Sequence, residues 1–119
     1  LLLFASIHAM AATPAELLAG YVAQAGQSAS AAKGEAFFKA SHGQEWQCTS
    51  CHGKSPMTGG RHASTDKAIE PLAPAANAKR FTDSAKVEKW FRRNCKDVLA
   101  RECSAAEKAD VLAWLISVR

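Results

Sequence analysis

Cys48-Thr49-Ser50-Cys51-His52 places two thiols and an imidazole within five residues. Three chemistries use such a run. A thioredoxin-like dithiol would follow a strand in a βαβ pattern, and no alternating apolar run precedes Cys48. A zinc site would want a second pair at ligand spacing, whereas Cys95 and Cys103 are separated by seven residues, a poor fit. In the third chemistry the thiols add across the vinyl groups of a haem, and the neighbouring imidazole is held under its iron. On this reading Cys48 and Cys51 attach one haem c covalently and His52 is an axial ligand.

The opposite axial position sets redox potential and ligand access. Met57 lies five residues beyond His52, a reach of at most ~18 Å fully extended, too little to pass round a haem edge without strain. His62, in Gly59-Gly60-Arg61-His62, sits in a stretch flexible enough to reach; His42, just before the attachment run, reads as surface. Asn94 stands out by pattern. Val87, Trp90, Phe91, Asn94 and Val98 fall at i, i+3, i+4, i+7 and i+11, one continuous stripe, with Arg92, Arg93, Lys96 and Asp97 on the other side. An amide amid a face expected to be buried needs a partner, because leaving it unsatisfied costs about 1–3 kcal/mol. Two partners suit it: a backbone or propionate hydrogen bond, or the iron itself.

The elements that must position these residues are helical. Thr13-Pro14-Ala15-Glu16 reads as an N-cap, a first-turn proline and a capping box, followed by Leu17, Leu18, Tyr21 and Val22 at helical spacing and Gly26 as a stop. A second helix is expected from about Ser30 to Ala40, and a short third one holds Cys48 to His52. Thr82-Asp83 opens the helix of the Asn94 stripe, and Ser104-Ala105-Ala106-Glu107, a second capping box, opens the last. Residues 53–82 carry Gly53, Pro56, Gly59, Gly60, Pro71 and Pro74 with little periodicity. A structureless loop of that length belongs in a compact domain when it wraps something other than protein, and a haem would serve. No run suggests a strand. The expected fold is all-α, with four to five helices and a long loop around one covalently bound haem.

Leu1-Leu2-Leu3-Phe4-Ala5-Ser6-Ile7 is apolar and uncharged, and Ala9-Met10-Ala11 supplies small residues at alternate positions. Residues 1–11 are expected to be the tail of a truncated secretory signal peptide, and 12–119 the mature domain. The run is too short to span a bilayer, so the processed protein is not expected to be an integral membrane protein. Export makes the periplasm the expected location. It also divides the four cysteines cleanly, two for haem and Cys95 with Cys103 for a disulfide that clamps two helices. Closing so short a loop stabilises by roughly 2–3 kcal/mol. A net charge of +4 without long basic runs gives no case for nucleic acid and favours an acidic protein partner.

Gly34-Glu35-Ala36-Phe37-Phe38, Cys48 to His52, Ile69-Glu70-Pro71-Leu72-Ala73-Pro74 and, above all, Val87-Glu88-Lys89-Trp90-Phe91-Arg92-Arg93-Asn94-Cys95 through Arg101-Glu102-Cys103 resemble the oxygen-binding c-type cytochromes typified by the sphaeroides haem protein. The resemblance covers most of the chain after Ala12. It implies a class I cytochrome c fold, Asn94 as distal ligand and a Cys95–Cys103 disulfide. The sibling cytochromes c double-prime of methylotrophs are similar but carry His where this chain has Asn94. With the resemblance added, ligation by Asn94 is the favoured expectation. A neutral amide oxygen is a weak donor that reduced iron holds poorly, so reduction would release Asn94 and let O2, NO or CO bind. Trp90, Phe91 and Val98 would make that distal pocket apolar.

The expected function is therefore electron transfer combined with diatomic ligand binding, the redox partner being an acidic-surfaced cytochrome that meets Arg92, Arg93, Lys96 and Arg101. Gly34 and Phe38 should cross the last helix near Trp114, and Lys79 and Arg80 are candidates for pairing with haem propionates. Two alternatives are a conventional six-coordinate electron carrier that uses His62, and a small haem reductase of oxygen or nitrogen species. No general acid is identifiable beside Asn94, which gives an enzyme little support.

Overall fold

The computed structural model describes residues 11–119. The expected leader therefore lies outside the described residues apart from Ala11. Five helices follow in order: α1 (Pro14–Ala25), α2 (Ala31–Lys39), α3 (Cys48–His52), α4 (Ser84–Leu99) and α5 (Ala105–Ser117).

Their ends are chemical. Thr13 Oγ1 accepts from the Glu16 N–H at 3.2 Å, and Gly26 closes α1 at φ +67°, where a side chain would be strained. Glu16 does not complete the box expected there; the forward half alone forms. Ser30 caps α2 and Asp83 caps α4 in the same way. At α5 both halves of the box form, Ser104 Oγ accepting from the Glu107 N–H at 3.1 Å and Glu107 Oε1 from the Ser104 N–H at 2.8 Å. Glu107 also takes two bonds from Arg101, at 2.8 and 3.0 Å, and that pairing pulls its carboxyl down to about 2.

The core lies where α1 and α2 pack on α5. Phe38 meets Trp114 with ring centroids 5.1 Å apart, beside Val111 and Leu115. Tyr21, Ala109 and Leu112 form the other half of the core, with Leu17, Leu18, Val87 and Phe91 against them. Gly34 is what lets α2 and α5 come this close, since a Cβ there would collide with the Asp110 carbonyl. The Asp110 carboxylate in turn accepts the Ser30 N–H at 2.7 Å, tying the start of α2 to the middle of α5. The crossing expected from Gly34, Phe38 and Trp114 is thus present.

The long loop corrects the sequence reading. It is not structureless, and it holds a two-stranded antiparallel hairpin, β1 (Gly60–Arg61) and β2 (Ala68–Ile69), with Gly60 opposite Ile69 and Arg61 opposite Ala68. Strands of two residues cannot display a period of two, so no alternation marks them. Gly60 lies so near α3 that a Cβ would strike the Cys51 carbonyl, which fixes the hairpin against the attachment helix. Beyond it, the Ala73 N–H bonds to the Pro56 carbonyl at 2.9 Å and folds the Pro71–Pro74 stretch back under α3. Among the described residues no helix is long and apolar enough to cross a membrane.

Candidate haem site

α3, the hairpin, the Pro71–Pro74 stretch, α4 and α5 line a cavity of about 1120 Å³, just above the roughly 300–1,000 Å³ usual for small-molecule and cofactor sites. Cys48, Cys51 and His52 line it from α3; Trp90, Phe91, Asn94 and Val98 line it from α4. Phe38, Leu72, Phe81 and Leu115 supply apolar wall, so every residue expected at the site faces one space.

α3 is short and held at both ends. Ser50 Oγ accepts the Gln47 N–H at 3.0 Å, and Gly53 turns the chain away at φ +72°. Within it Cys48 and Cys51 are free thiols, half-buried on the cavity wall. Burial pushes the Cys48 thiol up to about 11, and Cys51 Sγ accepts the Ala63 N–H at 3.3 Å. His52 lies 6.0 Å from the Phe38 ring. Burial, and secondarily the Arg80 cation, draw its imidazole down to about 4. It is therefore neutral at physiological pH, the form that ligates a metal.

Asn94 corrects a second expectation. Its face of α4 is covered only in part: Val98 is buried and Val87 and Phe91 pack on the core, whereas Trp90 is 44 % exposed and Asn94 is exposed, both lining the cavity. Among the described residues its side chain makes no hydrogen bond. The stripe showed an apolar face, but an apolar face does not reveal what covers it. Of the hydrogen-bond partners weighed for it, a backbone group is absent among the described residues, which leaves a propionate and the iron. Next to it Cys95 is bonded to Cys103, with Cα atoms 5.6 Å apart, joining α4 to the start of α5. That bond also removes both sulfurs from any zinc set.

Among the described residues the two other histidines have partners of their own. His42 Nε2 is 2.8 Å from the Phe37 carbonyl, and its ring packs on Phe37. His62 does reach the cavity, but its Nδ1 lies within hydrogen-bond distance of Ser64 and Thr65, and its ring stands edge-on to Trp46. Met57 is not among the cavity residues.

The charged groups at the mouth differ from those expected. Arg93 and Lys96 are there, but Arg92 is not, and Arg101 is committed to Glu107 and does not join them. Lys67, Lys79 and Lys86 also line the cavity, together with Glu70, Asp83 and Asp97; Lys79 was expected there as a propionate partner, whereas Lys67 and Lys86, scattered singly along the chain, gave no sequence signal. Arg80 is more deeply set, donating to the Glu70 and Pro71 carbonyls at 2.7 and 2.9 Å while burial lowers its pKa.

Comparison with known proteins agrees with this geometry. Cytochrome c-type protein SHP of Cereibacter sphaeroides is 49% identical over 107 residues, spanning 87% of this chain and 82% of its own. The chain belongs to the SHP family of c-type cytochromes. A sequence profile described as a domain of unknown function (DUF1924) matches residues 24–115. The solved structure of oxidized SHP, an oxygen-binding cytochrome c, superposes with a TM-score of 0.86 at 47% identity, covering 91% of this chain and 99% of that one. Oxidized cytochrome c'' from Methylophilus methylotrophus superposes with a TM-score of 0.76 at 37% identity, covering 89% and 94%. The fold is therefore all-α and class I cytochrome-like, as expected, and the SHP family implies a c-type haem. The donor set fits that group. Two thiols and a neutral imidazole share one helix, a neutral amide faces the same cavity, the wall is apolar, and Arg80 suits an anionic propionate.

Proposed function

We propose that this SHP-family chain is a periplasmic monohaem cytochrome that exchanges electrons and, once reduced, binds small diatomic ligands where Asn94 lets go. The observation that carries this reading is that Cys48, Cys51 and His52 on α3 and Asn94 on α4 line one apolar cavity. When bound, the haem supplies an iron that takes up one electron and coordinates a gas molecule. The chain's residues decide how. Each thiol of Cys48 and Cys51 would add across one haem vinyl group, sulfur to one carbon and hydrogen to the other, so that the double bond is consumed and a thioether formed. His52 would hold the iron through a neutral ring nitrogen. Asn94 would offer a neutral amide oxygen, a donor acceptable to ferric iron and weak toward ferrous iron, and so would leave room for O2, NO or CO after reduction. Trp90, Phe91 and Val98 keep that side apolar, and Arg80 holds a propionate. The oxygen binding named for the relative supports the reading. A carrier devoted to electron transfer would gain more from two strong ligands that never leave. Export is supported by the apolar run at residues 1–11 and by the Cys95–Cys103 disulfide, a bond of oxidising compartments.

Absorption spectra test it. The ferric protein should be high-spin, the ferrous protein should take up carbon monoxide at once, and acid extraction should leave one haem on the chain. Low-spin spectra in both oxidation states, indifferent to carbon monoxide, would make this a conventional carrier with His62 as the next ligand to examine. Haem released by acid would rule out the thioether bonds.

The redox partner in this reading is an acidic protein surface, matched by Lys67, Lys79, Lys86, Arg93 and Lys96 around the mouth. Raising salt from low to physiological strength should slow electron transfer from such a partner by about tenfold or more, because screening cuts the range of steering to about 8 Å. A rate unmoved by ionic strength would exclude docking at this rim by charge.

A further inference from the structure

α1 and α2 each pack closely along α5, whereas α4 makes no comparably close approach to another helix. Toward its C-terminal end the join is the Cys95–Cys103 bond. Toward its N-terminal end Val87 and Phe91 pack on the Tyr21–Leu112 half of the core, and Glu88 adds the polar link. The Glu88 carboxylate accepts from the Tyr21 hydroxyl of α1 and from Lys108 Nζ of α5, the latter at 3.2 and 3.3 Å to its two oxygens. Asn94 lies between these two fastenings.

Three details make this more than a surface ion pair. Tyr21 is 4 % exposed, and burial together with the Glu88 carboxylate raises its phenol above the ordinary range, so it remains a donor. The hydrogen bond from Tyr21 in turn lowers the Glu88 carboxyl, so it stays ionised and the bonds are charge-assisted. Lys108 Nζ also sits over two rings, 5.6 Å from Tyr21 and 5.8 Å from Phe91, which themselves meet edge to face. Phe91 and Asn94 are neighbours on α4 at i and i+3. The cluster thus ends at Phe91, about one helical turn from the amide and on the same helix face.

We propose that Glu88 is a positioning residue for Asn94: by joining Tyr21 and Lys108 it sets where α4 stands against the cavity, and hence how firmly the amide holds ferric iron. This rests on Asn94 being the distal ligand. Loosening the join lowers the fraction of time Asn94 is seated, and an added ligand competing for the position gains apparent affinity in proportion.

The test is azide binding to the ferric holoprotein, in a cycle that crosses each variant with Asn94→Ala. Glu88→Gln keeps the shape but weakens the hold on Lys108; Tyr21→Phe removes one hydroxyl and keeps the ring, so it reports even where the first variant folds poorly. Each should raise azide affinity by about 2- to 30-fold, the usual range for coupling through a supporting contact, and neither should do so in the Asn94→Ala background. Equal effects in both backgrounds would overturn the inference, since Glu88 would then act on the fold without acting through Asn94. No effect from either variant, with Asn94→Ala itself raising affinity, would overturn it and leave the ligation reading standing. An Asn94→Ala protein with unchanged azide affinity would sink ligation and the positioning role together.

Discussion

Asn94→His should turn the ferric protein from high-spin to low-spin and slow carbon monoxide uptake by the ferrous protein by about ten- to hundredfold. An imidazole is a stronger donor than an amide oxygen and, unlike it, holds ferrous iron well. If histidine occupies the position about 99% of the time, the competent fraction falls by about two orders of magnitude, and binding falls with it. Asn94→Ala is the opposite case. It should leave ferric iron high-spin and let ligands in at least as fast as in the wild type, because no side chain has to leave. The pair separates ligation from a hydrogen bond near the haem, whose loss would change stability without changing coordination. A ferric spectrum untouched by Asn94→His would show that the residue does not reach the iron. The geometry favours the first outcome: the amide faces the cavity shared with His52, with no protein partner among the described residues.

Gly34→Ala should be the most damaging single methyl that can be added to this fold. The new Cβ would lie inside the Asp110 carbonyl, which is backbone in the middle of α5 and cannot rotate away. Overpacking a core costs about 1–3 kcal/mol or more, and a backbone collision belongs at the top of that range. Alanine recovers about 1 kcal/mol of helix propensity, for a net loss of at least about 2 kcal/mol, or about 8–16 °C in the melting temperature of a domain this size. Gly20→Ala is the control. It too is helical, but a Cβ there meets nothing within 4 Å, so it should be neutral or stabilise by up to about 1 kcal/mol. Melting curves of the two holoproteins decide the matter. Equal stabilities would mean that α2 and α5 do not approach through Gly34.

Much of the molecule was legible before folding, and for local reasons. Caps and stops depend on residues three or four apart, so Thr13, Gly26, Asp83 and Ser104 marked helix ends that the structure reproduces. The thiols and imidazole of Cys48 to His52 declare their chemistry within a single turn. The pairing of Cys95 with Cys103 followed from counting four cysteines and bridging one turn. The crossing of Gly34 and Phe38 with the last helix was implied by the resemblance to class I cytochromes, and the folded chain supplies its reason, the approach of the Asp110 carbonyl to Gly34.

Tertiary structure decided the rest, because it depends on what meets across large sequence separations. The stripe on α4 was visible, but a pattern records apolarity and does not name the neighbour; only the folded chain shows Asn94 and Trp90 facing a cavity. The hairpin at Gly60–Ile69 was invisible because its strands are too short to alternate, and its seat on α3 depends on a backbone approach at the Cys51 carbonyl. Arg101 read as a free docking charge until its approach to Glu107 showed it spent on the α5 cap. Tyr21, Glu88 and Lys108 lie on three helices, 67 and 20 residues apart along the chain, and each alone is an ordinary helical residue. A sequence states which groups are available, and their meeting in space decides which of them act together.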